Sequence, residues 1–384
     1  MTTPYEQYNN IHEAYGRIIK QGSTAYVVGY DEARQVMGDH KRFIKDYRNL
    51  MSDRERIMTH LMPTTFDLLY DNMLSRDAPD HTRLRALISK AFTNRTIQAL
   101  APRIQEIADQ LIDAFEGKGE TDLIEDFAFP LPIIVICELL GIPTQDHHKF
   151  RSWSHAFIGI SNEADPSGNS LFEFVEYIGR IIHLRRHDPQ DDLISRLVHA
   201  EEDGQRLTEQ ELFSMIALLI VAGHETTVNL IGNGMATLLQ HPDQAALLQH
   251  NPDLIDNAIE EFLRYEGPVE MTTTRYAAED VTIGDTFLPR GTTVIVILAA
   301  VNRDLQTFAG GDTLDVRREQ NKHMGFGYGV HYCVGAPLAR LEARIAFNTL
   351  LKRLPTLQLA VPAAKLSYND SAIVRGLTRL LVRW

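Results

Sequence analysis

His323-Met-Gly-Phe-Gly-Tyr-Gly-Val-His-Tyr-Cys333-Val-Gly335-Ala-Pro337 is the stretch whose reading decides the fold. It holds one of only two cysteines in a 384-residue chain, set among glycines and just ahead of a helical run over residues 338–351. Proline is favoured as the first residue of a helix, so Pro337 puts Cys333 immediately before a helix N-terminus. Unpaired N–H groups and the positive end of the helix dipole favour a thiolate there. Glycines 325, 327, 329 and 335 predict a loop that bends sharply and brings its backbone close to something flat or bulky. A reactive thiol would also suit this position. We read the flat object as a haem and Cys333 as its axial ligand.

Composition bounds the rest. Hydrophobic residues make up 44% and charged ones 23%, the mix of a globular protein with a large core. A formal net charge of −13 argues against a nucleic-acid partner. Cys137 and Cys333 cannot make a disulfide framework or a four-cysteine metal site, and no C-x-x-C-H occurs, so a haem would be held non-covalently. The opening MTTPYEQYNNIHEAYG has no apolar run after a basic start, which predicts no signal peptide, no membrane anchor and a cytoplasmic location. No linker, repeat or low-complexity tract divides residues 1–384, so a single domain is expected.

In chain order the apolar spacing predicts a helix over 12–19, a strand over 24–28, a helix over 31–37 and an irregular, apolar-rich stretch over 41–76. Residues 57–70 of that stretch read either as packed loop or as a lid over a substrate. Helices follow from Asp77-Ala-Pro-Asp-His81-Thr-Arg-Leu-Arg85 to Phe92 and over 97–115. His81 and Arg85 are four apart on one helix face and could grip one anion, although such pairs are usually solvated. Residues 126–140 are apolar enough to be buried, with Cys137 as a small core residue. Further helices are expected over 144–157, 171–186 and 191–200, with a turn-rich hinge over 159–168.

From Thr208 a proline-free run of more than thirty positions opens with a capping box, Thr208 and Glu211. At ~1.5 Å per residue this helix would be roughly 50 Å long. Residues 215–221 are almost continuously apolar, then His224-Glu225-Thr226-Thr227 interrupts, which disfavours a membrane span. Buried carboxylates and hydroxyls are costly unless bonded or functional. Ala222, Gly223 and Thr226 form a face with little bulk, where a planar ligand could approach. A zinc-protease reading of His224-Glu225 fails, because the second histidine would fall at Val228.

Glu261 and Arg264, three apart on a helix over 257–265, read on their own as an ordinary surface ion pair. Residues 272–290, with Arg275, and 292–298 read as strands, and the chain ends in strands. The fold class is therefore mainly α with minor β.

These pieces together resemble the cytochrome P-450 family, the haem-thiolate monooxygenases, in its soluble bacterial class. Phe326, Gly327, Gly329, His331, Cys333 and Gly335 occupy every fixed position of the family's F-G-x-G-x-H-x-C-x-G signature. Residues 222–227 match its A-G-x-D/E-T-T motif and Glu261/Arg264 its E-x-x-R. Residues 314–318 look like its F-D-x-x-R segment, with Leu314 in place of the aromatic. The resemblance implies a helix-rich triangular domain with a long central helix and small sheets. It implies non-covalent haem b, iron protoporphyrin IX, on Cys333, with His81, Arg85, Arg275 and His331 around the propionates, and Ala222 and Gly223 against the macrocycle. Glu225 and Thr226 would relay protons to dioxygen, and Glu261, Arg264 and Arg318 would lock the core.

The activity so implied is insertion of one oxygen atom of O2 into a C–H or C=C bond of a bulky apolar or amphipathic small molecule. The version of the 222–232 segment is similar to that of macrolide and polyketide hydroxylases, whose relatives oxidise steroids, terpenoids or fatty acids. The pocket is expected to draw on residues 57–70, 157–175, 269–271 and 373–374, with His224 facing the substrate, the solvent or the core. Electrons must come from an external ferredoxin or flavodoxin with its reductase. Arg83, Lys90, Arg340 and Arg344 read either as plain surface charge or as a docking patch for an acidic ferredoxin. A peroxide-driven peroxygenase would carry arginine and proline where this chain has Glu225 and Thr226, and a haem-binding sensor would not need that pair.

Overall fold

The computed structural model describes residues 14–52, 55, 69–90, 92–143, 146–158, 169–202 and 205–384. The chain is mainly helical, with small sheets at its margins. The principal helices are α1 (Tyr30–Gly38), α2 (Asp80–Ser89), α3 (Ala101–Asp113), α4 (Pro130–Leu140), α5 (His147–Ile158), α6 (Ser170–His187), α7 (Glu209–Gln240), α8 (Ile255–Tyr265) and α9 (Ala336–Arg353).

Helix α7 is the axis of the molecule. Its Thr208–Glu211 capping box forms in both directions, which satisfies two N-terminal backbone groups. It then runs 32 residues without a break and is buried along most of its length from Leu212 to Leu238. By length and composition it could cross a membrane, yet 83% of its most apolar window is covered by the rest of the chain, as in a core helix. It packs on α4, α8 and α9. Small residues allow this: a Cβ on Gly234 would lie 2.6 Å from the Phe347 ring of α9.

A five-stranded sheet joins β1 (Ile18–Gln21), β2 (Thr24–Val27), β3 (Phe43–Ile44), β4 (Arg275–Ala277) and β5 (Thr293–Val296) in the order β1-β2-β5-β4-β3. Only β2 and β5 run parallel. Val294 of β5 pairs with both Ala25 and Arg275, which fixes Arg275 on the buried face of β4. The sheet and α1 enclose one apolar cluster, while the helices enclose a larger one around α7.

Three expectations are corrected. Ile18 and Ile19 pair with Val27 and Tyr26 in β1 rather than ending a helix over 12–19, whose first residues lie outside the described ones. The helix expected over 97–115 is two, Asn94–Gln98 and α3, because Pro102 offers no N–H and falls in the first turn of the second. The strand expected over 292–298 stops at Val296, and Leu298 opens a short helix, Leu298–Val301. The hinge expected over 159–168 and the stretch 56–68 lie outside the described residues.

Candidate functional site

A cavity of about 260 Å³ opens where the two apolar clusters meet, with Met37 and Leu298 from one and Leu218, Leu219 and Leu263 from the other. Cys333 lies on one wall. Its loop turns through Gly327 (φ 77°) and Gly329 (φ 74°), in the left-handed region that glycine alone enters without strain. At Gly329 a Cβ would also come within 2.6 Å of the Met37 carbonyl oxygen. The Cys333 N–H donates to the Phe326 carbonyl at 2.9 Å, which holds the cysteine at the mouth of α9. Its side chain is open to the cavity although protein encloses it, so the accessible sulfur does not face bulk solvent. Burial raises the thiol above its ordinary value, while the N–H groups of Gly335 and Ala336 and the charges of Arg85 and Arg340 oppose that.

Ala222, Gly223, Thr226 and Thr227 of α7 form another part of the wall. The Thr226 hydroxyl donates to the Ala222 carbonyl one turn back at 3.0 Å. Gly223 serves packing as well as thinness, since a Cβ there would lie 2.8 Å from Ile136 of α4. Glu225 does not line the cavity. It is buried toward α5, with its carboxylate 3.6 Å from His224 Nε2 and 3.9 Å from His155 Nε2. Burial pushes it up to about 7, against the pull of Arg151 and of the neighbouring Asn229 amide. Of the three orientations open to His224, the core is the one observed. Its Nδ1–H donates to the Ile220 carbonyl at 2.7 Å, its ring meets Phe129 edge-on, and burial pushes it down to about 4.

A ring of basic side chains closes the side of the cavity. The His81 and His331 rings lie 4.2 Å apart, and His81 Nε2 and His331 Nδ1 are buried without a hydrogen-bond partner. Arg85 donates to the Tyr332 carbonyl at 2.6 Å. Arg275 is buried, makes one long contact of 3.5 Å to the Thr273 carbonyl, and is pushed down to about 10 by burial. Lys45 is a fifth member that sequence reasoning missed. Its ammonium is buried on the Thr273 and Thr274 carbonyls and pushed well below the ordinary lysine value, by burial and by Arg275. Asp77 gives little relief, because its carboxylate already accepts from the backbone N–H groups of Lys45 and Asp46 and from Asn49. His331 is pushed down to about 2 by burial together with His81, Lys45, Arg275 and Arg85. Buried cations with no counter-charge bonded to them are costly. A flat group carrying two carboxylates, seated between Cys333 and the bare face of α7, fits this donor set.

Glu261 and Arg264 are not a surface pair. Both are fully buried, with bonds of 2.8 Å through each carboxylate oxygen. Glu261 also accepts from Arg318 at 3.0 Å, Asn321 at 3.1 Å and the Asp315 N–H at 2.9 Å, and Arg264 donates to the carbonyls of Asn302, Gly311 and Thr313. The cluster ties α8 to the chain that leads into the cysteine loop.

The docking patch read from Arg83, Lys90, Arg340 and Arg344 needs the opposite correction. Arg83 pairs with Glu211, Arg340 with Glu260 at 2.6 Å and Arg344 with Asp256 at 2.5 Å, so three of the four are already offset by carboxylates. Of the expected pocket segments, Val269 lines the cavity. Val269 also pairs with Val374. Tyr70 stacks on Phe157 at 4.6 Å and donates to its carbonyl.

Comparison with known proteins gives the family. The sequence model of the cytochrome P-450 family matches residues 170–359. The chain is 46% identical to the cytochrome P-450 monooxygenase PikC of Streptomyces venezuelae, over 93% of this chain and 84% of that one. It is 44% identical to the polyketide biosynthesis cytochrome P-450 PksS of Bacillus subtilis, over 93% and 88%. The myxobacterial CYP267B1 in complex with myristic acid superposes with a TM-score of 0.89 at 41% identity, covering 99% of this chain and 96% of that one. The chain belongs to the cytochrome P-450 family of haem-thiolate monooxygenases.

Proposed function

We propose that this monooxygenase holds haem b through the Cys333 thiolate and oxidises a bulky apolar or amphipathic small molecule. The single observation that carries the reading is the Cys333 side chain and the bare Ala222–Thr226 face of α7 lining one cavity, with Arg85, Arg275, Lys45 and the unpartnered His81 and His331 nitrogens at its side. Arg85, Arg275, His81, His331 and Lys45 would take up the two carboxylates. When bound, haem supplies reductive activation of dioxygen and transfer of one oxygen atom, with the thiolate favouring O–O cleavage.

The residues of the chain do the rest. Leucines 218 and 219, Met73, Phe92 and Val269 exclude water from the reacting side and offer an apolar bed without directional demand. The Thr226 hydroxyl, parked on the Ala222 carbonyl, can turn to hold a proton-bearing water in the cavity, and Glu225, with its raised value, can replenish that proton near neutral pH. Relatives named for polyketide biosynthesis and a neighbour seen with myristic acid support a polyketide, macrolide or fatty-acid-like substrate, with steroids and terpenoids of similar bulk as the other candidates. Electrons come from an external ferredoxin or flavodoxin with its reductase, and the enzyme works in the cytoplasm as one domain.

The test is a substrate screen on the haem-loaded enzyme by spin-state shift, followed by turnover with a surrogate redox system. Macrolides, long-chain fatty acids and steroids should give shifts and oxygenated products. Shifts confined to small polar compounds would overturn the substrate class.

A further inference from the structure

We propose that His155 is the positioning residue through which protons pass from solvent to Glu225; this rests on the role given to Glu225 above. Glu225 is sealed in the protein, its side chain only 6% exposed, and has two imidazoles in reach. His224 is a dead end. It is fully buried, and its Nδ1 is committed to the Ile220 carbonyl, so it takes nothing from water. His155 of α5 differs on both counts. Its side chain is 26% exposed, and its Nε2 stands 3.9 Å from Glu225 Oε1. That gap is too long for a hydrogen bond, and a small rotation or one bridging water closes it.

The charges around the pair are arranged for one-way loading. Exposed Asp370 acts on His155 and favours its protonated form, whereas burial and Arg151 hold the ring down at about 4, neutral at rest. Arg151 also faces Glu225 and His224, is tied to Glu125 and lies over the Phe129 ring at 4.1 Å. Glu225, at about 7, is the better proton holder, so transfer from ring to carboxylate runs downhill. The step conserves the ring. Water gives a proton to one ring nitrogen, the other nitrogen releases its proton to the carboxylate, and the hydroxide left behind is neutralised by buffer. Proton exchange with water, loss from the newly protonated nitrogen and gain at the other, restores the first tautomer.

The experiment follows hydrogen–deuterium exchange of the Glu225 carboxyl by infrared difference spectroscopy of the haem-loaded protein, the band being identified by its loss in Glu225→Gln. His155→Phe and His155→Gln should each slow exchange by on the order of tenfold or more. Each should also raise the solvent isotope effect on turnover and divert electrons to peroxide. A packing role would leave the exchange rate alone, so wild-type exchange in either variant overturns the proposal. If Glu225→Gln turns over with full coupling, the relay role of Glu225 falls instead; if Glu225→Gln uncouples while exchange in the His155 variants is unchanged, only the role of His155 falls.

Discussion

Replacing Glu261 with glutamine is the sharpest test of how the core around the cysteine loop is held. The carboxylate accepts two bonds from Arg264 at 2.8 Å, one from Arg318 at 3.0 Å, one from Asn321 at 3.1 Å and one from the Asp315 N–H at 2.9 Å. Every partner is a donor. A glutamine side chain would keep one acceptor oxygen and turn an NH2 group toward donors, leaving the Arg264 guanidinium buried without a counter-charge. Breaking a buried pair in this way costs about 3–5 kcal/mol, a large part of a total stability of about 5–15 kcal/mol. Arg344→Gln is the internal reference, since Arg344 and Asp256 are 39% and 60% exposed and such a pair contributes about 0–1 kcal/mol. Urea unfolding of the two variants, followed by circular dichroism, should show the Glu261→Gln midpoint falling far below that of Arg344→Gln. Equal midpoints would refute the reasoning. The double variant Glu261→Leu with Arg264→Met should recover part of the loss, because no charge is then left alone.

Glu225 gives a pH signature. Its folded value is raised from 4.5 to about 7, so the wild-type protein loses about 3 kcal/mol as pH climbs through that window. Glu225→Gln should therefore be more stable than wild type above pH 7, with the difference vanishing toward pH 4.5; urea midpoints across that range check the sign. Lys45→Met removes a buried ammonium that has no carboxylate bonded to it, so the haem-free protein should hold or gain stability while haem affinity drops roughly tenfold or more, read by transfer to a haem scavenger. An unchanged affinity would take Lys45 out of the site. Gly223→Ala should cost about 1–3 kcal/mol by pressing on Ile136, and a second change, Ile136→Ala, should restore part of it in thermal unfolding.

Much of this molecule is legible in its sequence where local pattern and tertiary need coincide. The Thr208–Glu211 box and the unbroken apolar run predict α7 because capping and burial act on the same residues. The glycines before Cys333 predict a turn because positive φ at 327 and 329 is a local demand. Partners distant in the chain are where the reading stops. Glu261–Arg264 looks like any i,i+3 surface pair until Asn302, Gly311, Thr313, Arg318 and Asn321 close over it. Arg83, Arg340 and Arg344 look free until Glu211, Glu260 and Asp256 arrive from elsewhere. Lys45 sits in an irregular stretch where a lone lysine reads as solvated, and only the register of β3 on β4 brings it beside Arg275. The one clue is its position after two buried apolar residues, Phe43 and Ile44.

The central claim is that Cys333 carries the haem iron. The direct measurement is the absorption spectrum of the reduced carbon monoxide complex in wild type and two variants. Wild type and Cys137→Ala should show the thiolate-type band, since Cys137 is buried in α4 and its thiol is pushed up to about 12. Cys333→Ala should lose it. A thiolate-type band that survives in Cys333→Ala would contradict the account.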